Sequence, residues 1–334
     1  MSDTNISIII PAYNCGNTIL KTLDCLILQI DKNDEIIIID DGSSDNTVEV
    51  IEKYIANQSK CLKLFTKSNG GPASARNVGI KNAKGQYLIF VDADDLPMED
   101  YVSNLNSYIT FSDKIDFAFG KYKRIDDDTE MHSISNTEYL GEIGSCLILE
   151  SFLTWKTQIS LWNSIFKRNI ILSGNIMFDE NRQYGEDVEF IAKYISECRM
   201  VYGGEELIYN FCYSKFREDK RINKYFISDI RQTEYYAINQ FLVENKNIDV
   251  PYMKNYTLPS IALNILMRQA QISQTYCDFK TAIDSNKGTV DIMRGIQSKY
   301  AASYKKFLGK KLVITLFKTS KRIFYMIVRW RAYR

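Results

Sequence analysis

The chain has 334 residues, with 42 Lys and Arg against 41 Asp and Glu and with 45% hydrophobic and 25% charged residues. Such a balance supports one or two domains with a buried core and excludes wholesale disorder, collagen-like repeats and low complexity. The near-neutral total conceals two bodies, because residues 299–334 carry +11 and no acid, so against a whole-chain charge of +1 residues 1–298 stand at −10.

Residues 1–5 lack the basic start and apolar run of a secretory signal, which predicts a cytoplasmic location. From residue 6, apolar runs at 6–10, 35–39, 62–66 and 87–91 alternate with helical patterns at 18–28, about 44–55 and 73–82. Continuous β-branched runs separated by helices predict a parallel sheet covered on both faces, a doubly wound α/β half. Ligands of such sheets bind outside the carboxyl ends of the strands. The segments after the four runs are Pro11-Ala12-Tyr13-Asn14, Asp40-Asp41-Gly42-Ser43-Ser44-Asp45, Asn69-Gly70-Gly71-Pro72 and Asp92-Ala93-Asp94-Asp95, and they are expected to converge on one rim.

Beyond residue 110, residues 117–119 and 162–166 read as strands, and Gly185-Glu186-Asp187-Val188 reads as a helix start. The single histidine, His132, lies in a polar stretch expected to be a surface loop; it excludes paired-histidine zinc sites and turns acid–base chemistry toward carboxylates. The seven cysteines include no Cys-x-x-Cys pair and suggest neither a disulfide framework nor a zinc ribbon. From about residue 228 the pattern is mainly helical to 298, followed by the basic tail.

Asp92-Ala93-Asp94-Asp95 places carboxylates at the mouth of a buried strand, which is unfavourable unless something neutralises them. Mg2+ or Mn2+ would do so, because hard divalent ions take oxygen ligands and sit between one or two carboxylates and substrate phosphates. The plain alternative is a solvated turn with an Asp helix cap before Leu96-Pro97-Met98. In Asp40-Asp41-Gly42-Ser43-Ser44-Asp45 a buried Asp can accept the imide N–H of uracil, and Tyr13 can stack on a base; the structural alternative is a turn whose Ser43 or Ser44 caps the next helix.

Asn69-Gly70-Gly71-Pro72-Ala73-Ser74-Ala75-Arg76-Asn77 joins two permissive glycines to a proline at a helix start. Arg76 can contact a phosphate or hold the aspartates in place. The segment matches neither G-x-G-x-x-G nor the P-loop, which counts against a Rossmann dehydrogenase and a P-loop NTPase. Gly185-Glu186-Asp187 is either a routine acidic helix start or the source of a base that a chain with one histidine needs.

In this order and spacing Ile8-Ile9-Ile10-Pro11-Ala12-Tyr13-Asn14, the Asp40 and Gly70 segments, Phe90-Val91-Asp92-Ala93-Asp94-Asp95 and Glu186-Asp187 closely resemble the family 2 inverting glycosyltransferases. The resemblance covers residues 1–215 and implies a GT-A fold there, a Rossmann-like α/β nucleotide-sugar domain; the helical region at 216–298, which matches no motif of the family, and the tail at 299–334 are read from the residue pattern alone. The resemblance also implies a UDP-sugar donor and Mn2+ or Mg2+. By the same resemblance Pro11, Tyr13, Asp41 and Asn69 serve the donor's uridine, and Arg76 lies near the diphosphate. Asp92 holds ribose or donor sugar, Asp94 binds the metal and Asp187 is the catalytic base. Trp162 and Glu186 fall where similar enzymes meet the acceptor, a buried core role being the alternative for Trp162.

The reaction so implied moves a hexose or N-acetylhexosamine to a hydroxyl of a glycan acceptor. A nucleotidyltransferase would share the pocket and the metal, but its basic glycine-rich triphosphate loop is missing. A non-catalytic sugar-binding or scaffold protein on the same fold is opposed by the intact aspartates. In the tail, residues 310–318 and 321–331 interleave apolar and basic side chains with no run approaching the roughly 18–20 residues that span a bilayer. A basic helix carrying Phe, Tyr and Trp suits an anionic membrane surface better than nucleic acid, a partner-docking helix being the plain alternative. The expectation is therefore a peripheral protein at the inner face of the cell membrane, acting on a lipid-linked glycan in surface polysaccharide biosynthesis.

Overall fold

The computed structural model describes residues 5–58, 62–126, 129–153, 156–181, 185–213, 275–285 and 304–332, with a few single positions between 259 and 270. The chain divides into two compact units, Met1–Lys215 and Phe216–Arg334.

The first unit begins with β1 (Ile6–Ala12), α1 (Ile19–Ile27), β2 (Glu35–Asp40), α2 (Thr47–Ala56), β3 (Leu62–Thr66), α3 (Gly71–Asn82) and β4 (Tyr87–Phe90). It continues with β5 (Leu96–Pro97), α4 (Tyr101–Ile109), β6 (Ile115–Asp126), β7 (Thr129–Ile134), β8 (Gly141–Gly144), α5 (Ser145–Leu153), β9 (Ser164–Lys167), α6 (Arg168–Ser173), α7 (Glu186–Glu197) and β10 (Met200–Tyr213). One sheet runs in the order β3-β2-β1-β4-β9-β6-β10-β5, with β7 beside β6 and β8 beside β10.

The first four strands are mutually parallel, as expected of apolar runs buried on both faces. Ile8, Ile9 and Ile10 of β1 and Ile36 to Ile39 of β2 are fully buried, each such side chain stabilising the fold by about 1.5–3 kcal/mol. Helix α3 lies close on this layer at Gly79, where an added Cβ would stand 2.3 Å from Ile9 Cγ2. Strand β9 is antiparallel to both β4 and β6, and β10 is parallel to β6. The carboxyl ends of β1 to β4, β6 and β10 therefore share one rim.

Several local expectations change. The stretch around His132 is a hairpin rather than a loop: Arg124 pairs with Ser133 and Asp126 with Thr129, so His132 stands in β7. Pairing with the long β6 overrides the polar local composition. Helix α2 starts at Thr47, and Asp45 rather than Ser43 or Ser44 accepts its first N–H. Leu96-Pro97 is a short strand, not a helix start. Trp162 lies in a single 3-10 turn, Leu161–Asn163, closed by a capping box between Ser160 and Asn163, and the strand begins only at Ser164.

In the second unit α8 (Tyr276–Ser285), α9 (Tyr304–Thr319) and α10 (Lys321–Ala332) are described. Most of the helical region expected at 216–298 lies outside the described residues. Phe279 of α8 stacks on Phe324 and Tyr325 of α10, and Phe317 of α9 meets Phe324 edge-on. Three of the aromatic side chains expected to face a membrane thus form the unit's own core. Leu312, Ile323, Met326 and Ile327 are the large apolar side chains left exposed among the described tail residues, Leu312 at 72% and Met326 at 61%. No helix among the described residues is long and apolar enough to cross a membrane.

Candidate active site

The rim is assembled from loops that tie one strand end to the next. Asn14, in the left-handed region at φ 47°, lies two residues beyond β1; its Oδ1 accepts the Ser44 N–H at 2.8 Å while its own N–H donates to Ser43 Oγ at 2.9 Å. Asn tolerates this backbone better than most residues. Beside it Pro11 is half-buried and the Tyr13 ring is 53% exposed. Asp40 folds back on its own loop and accepts the N–H groups of Gly42 and Ser43.

Asp41 is buried and reaches the next segment. Its Oδ1 accepts from Lys67 Nζ at 2.6 Å and from the Gly70 N–H at 3.0 Å, and its Oδ2 accepts the Gly71 N–H at 2.7 Å. A carboxylate has about four lone-pair sites, so Oδ2 keeps capacity for a further donor. Gly42, at φ 75°, lets the exposed Asn69 segment approach: an added Cβ would lie 2.9 Å from the Asn69 nitrogen. Pro11 and Tyr13, Asp41, and Asn69 thus lie at or just beyond the ends of three strands whose loops are tied together.

Arg76, on α3, joins the remaining motifs. Its guanidinium is buried, with Nη2 3.2 Å from Asp92 Oδ1 and Nη1 3.3 Å from Glu186 Oε1, over the ring of Phe178. Burial opposes its charge, but the carboxylates of Asp92, Glu186 and Asp187 outweigh that and push its pKa up. Of the two roles open to Arg76, holding the aspartate cluster is the one these ion pairs describe. Burial and the neighbouring charge of Asp187 push the Glu186 carboxyl up, with Arg76 opposing. Asp187 is half-buried in the first turn of α7, where its Oδ1 accepts the Val188 N–H at 2.8 Å. Three carboxylates in that first turn sit at the positive end of the helix.

Along Asp92-Ala93-Asp94-Asp95 burial alternates: Asp92 and Asp94 are half-buried, while Ala93 and Asp95 are buried. Among the described residues no three or more Asp, Glu, Cys or His side chains form a complete metal cage. The donor set fits Mg2+ or Mn2+ nonetheless, since these ions take one or two carboxylates and complete their shell with water and phosphate. Asp94 would hold the ion, with Asp92 tied to Arg76 beside it.

Trp162 stacks on Tyr209 (4.7 Å, 20°) and on Phe211 (5.2 Å, 4°) and meets Tyr122 edge-on. Its indole is half-buried and engaged with these three rings, which gives it a packing role. Sequence reasoning gave no role to Lys67, Asn77, Thr22 or Tyr209. Asn77 Oδ1 accepts the Phe178 N–H and its Nδ2 donates to the Phe178 carbonyl and to Glu180, each at 2.9 Å, which fixes the chain ahead of α7. These partners are 101 and 103 residues apart in the chain, so no local pattern signals them.

Residues 7–172 match the family model for Glycosyl transferase family 2. An uncharacterized glycosyltransferase of Rickettsia felis is 33% identical over 190 residues, 56% of this chain and 29% of that protein. The chain thus spans well under half the length of that curated relative. The Escherichia coli UDP-Glc:alpha-D-GlcNAc-diphosphoundecaprenol beta-1,3-glucosyltransferase WfaP is 40% identical over 118 residues, 35% of this chain and 45% of its own length. Among solved structures, S. aureus TarS 1-349 in complex with UDP-GlcNAc superposes with a TM-score of 0.67 at 20% identity, covering 99% of this chain and 92% of that one. At that identity the likeness shows the fold, and the fold is the GT-A-like α/β architecture expected from the sequence, with helices at the C-terminus.

Proposed function

The chain belongs to glycosyl transferase family 2, and from that premise we propose that it moves a hexose or N-acetylhexosamine from a UDP-sugar to a hydroxyl of a glycan acceptor, inverting the anomeric centre. The observation that carries this is the Arg76 bridge. One guanidinium holds Asp92 on the donor side and Glu186 next to Asp187, so a donor-side carboxylate and a candidate base belong to one ion-paired cluster.

In this reading Asp41 Oδ2 accepts the uracil imide N–H, Tyr13 stacks on the base, and Pro11 and Asn69 complete its pocket. Asp92 takes a ribose or sugar hydroxyl. When bound at Asp94, Mn2+ or Mg2+ supplies positive charge against the diphosphate leaving group. Asp187 accepts the proton of the acceptor hydroxyl as that oxygen attacks C1 from the face opposite UDP; the C1–O bond to UDP breaks and the configuration inverts. A positioned general base contributes about 10²–10⁴ in rate. Trp162 supports the acceptor side by packing, and Glu186 by holding Arg76.

The UDP donor is favoured by a structural neighbour crystallised with UDP-GlcNAc and by the UDP-Glc in the WfaP name; that name's diphosphoundecaprenol acceptor favours a lipid-linked glycan here. Residues 299–334, with a charge of +11, would meet the inner face of the membrane through exposed Leu312, Ile323, Met326 and Ile327 and their Lys and Arg neighbours. Nucleic acid is not a partner in this reading.

Replacing the base tests the assignment. Asp187→Asn is expected to lower UDP release from a UDP-sugar with acceptor by about 10²-fold or more while calorimetric UDP affinity stays at the wild-type value. Near-normal turnover by that variant would remove Asp187 from the mechanism.

A further inference from the structure

Asp95 is fully buried next to two half-buried aspartates and takes no part in the chemistry above. Its surroundings are specific. Tyr209, fully buried on β10, donates its hydroxyl to Asp95 Oδ2 at 3.0 Å, across 114 residues of sequence. The Asp95 N–H donates to the Asp92 carbonyl at 3.2 Å, closing a turn over residues 92–95. On the other side the buried Thr22 hydroxyl of α1 lies 3.1 Å from the Ala93 carbonyl and 2.9 Å from the Asp95 carbonyl. Tyr209 is itself held by the rings of Tyr101 and Trp162, and the Tyr101 hydroxyl donates to the Trp162 carbonyl at 2.7 Å.

A buried carboxylate is tolerated only where its oxygens are hydrogen-bonded. An apolar side chain at position 95 would fill space at less cost if packing were the only need. What the carboxylate provides is a directional anchor: with Asp95 held inward by Tyr209 and the carbonyls of Ala93 and Asp95 sharing the Thr22 hydroxyl, the turn is held at both sides while Asp92 and Asp94 stay half-buried on it.

We propose that Tyr209, Asp95 and Thr22 are positioning residues that lock the turn over residues 92–95, so that the Asp92 and Asp94 carboxylates are presented together to the donor diphosphate and its cation. The proposal rests on reading Asp92 and Asp94 as donor-side carboxylates. It gives the aromatic stack of Trp162 and Tyr209 a purpose different from sugar stacking: it holds the hydroxyl that holds Asp95.

Calorimetric titration of the full-length chain with UDP, with and without Mn2+, tests it. A hydrogen bond to a charged group is worth about 1.5–3 kcal/mol, so Tyr209→Phe is expected to weaken the Mn2+-dependent part of UDP binding by about tenfold or more while binding without Mn2+ is unchanged. Thr22→Val, of similar shape and without the hydroxyl, is expected to move the same quantity in the same direction and serves if Tyr209→Phe does not fold. Lower melting temperatures in Tyr209→Phe and Thr22→Val with wild-type Mn2+-dependent affinity would overturn the proposal by reducing these residues to packing. A wild-type chain whose UDP binding ignores Mn2+, with Asp94→Ala indistinguishable from it, would instead overturn the metal reading of Asp94, and the proposal with it.

Discussion

At the scale of single residues, the buried charges decide what the molecule can tolerate. Asp116 at the start of β6 is buried and bonded by Lys167 Nζ at 3.1 Å and by the Arg199 backbone N–H at 2.9 Å and Nε at 3.2 Å. Burial raises its pKa, but Arg199 and Lys167 more than offset this and leave it lowered. A carboxyl lowered on folding contributes stability that is present above its unfolded pKa and is lost as pH falls through the folded value. Because the Arg199 side chain is largely exposed and only Lys167 would be left partly buried, Asp116→Asn is expected to cost on the order of 1 kcal/mol at neutral pH, and the gap from wild type should shrink below about pH 4. Denaturant melts across pH measure it, and a gap that stays constant into the acid range would contradict the ion-pair account. Arg76 belongs to the same class of residue: buried, doubly paired, and placed where two motifs far apart in sequence meet.

At the scale of elements, the sequence was most legible where burial on both faces leaves little choice. β3 occupies the expected residues, and β1, β2 and β4 differ only at their carboxyl ends. The four segments that follow the runs hold the Asp41, Arg76 and Asp92 clusters at the rim. Elements whose identity depends on a distant neighbour were not legible: two-residue β5 exists because Tyr209 and Asn210 of β10 pair with it, and β7 exists because β6 runs on for 12 residues. Trp162 was expected in a strand, but Ser160 and Asn163 close a turn around it. The residues that support the site share this fate. Lys67 is 26 residues from Asp41 and Thr22 is 73 from Asp95, so their roles emerge only when the sheet and α1 come together.

At the scale of the whole molecule, overall neutrality is a cancellation between an acidic body and a tail of +11. The tail's apolar side chains divide in two: Ile314, Phe317, Phe324, Tyr325 and Val328 are buried, whereas Leu312, Ile323, Met326 and Ile327 are exposed. If the exposed set meets lipid, Ile323→Ser/Met326→Ser/Ile327→Ser in one chain should abolish flotation with anionic liposomes while the circular dichroism spectrum is kept. Unchanged flotation would remove α10 from the membrane contact. The central claim, single-displacement transfer from a UDP-sugar, is tested most directly by proton NMR of the sugar released when the full-length chain hydrolyses α-linked UDP-sugars with Mn2+ and no acceptor. The account predicts that the β-anomer appears first and mutarotates afterwards; first release of the α-anomer, or none from any UDP-sugar, would contradict it.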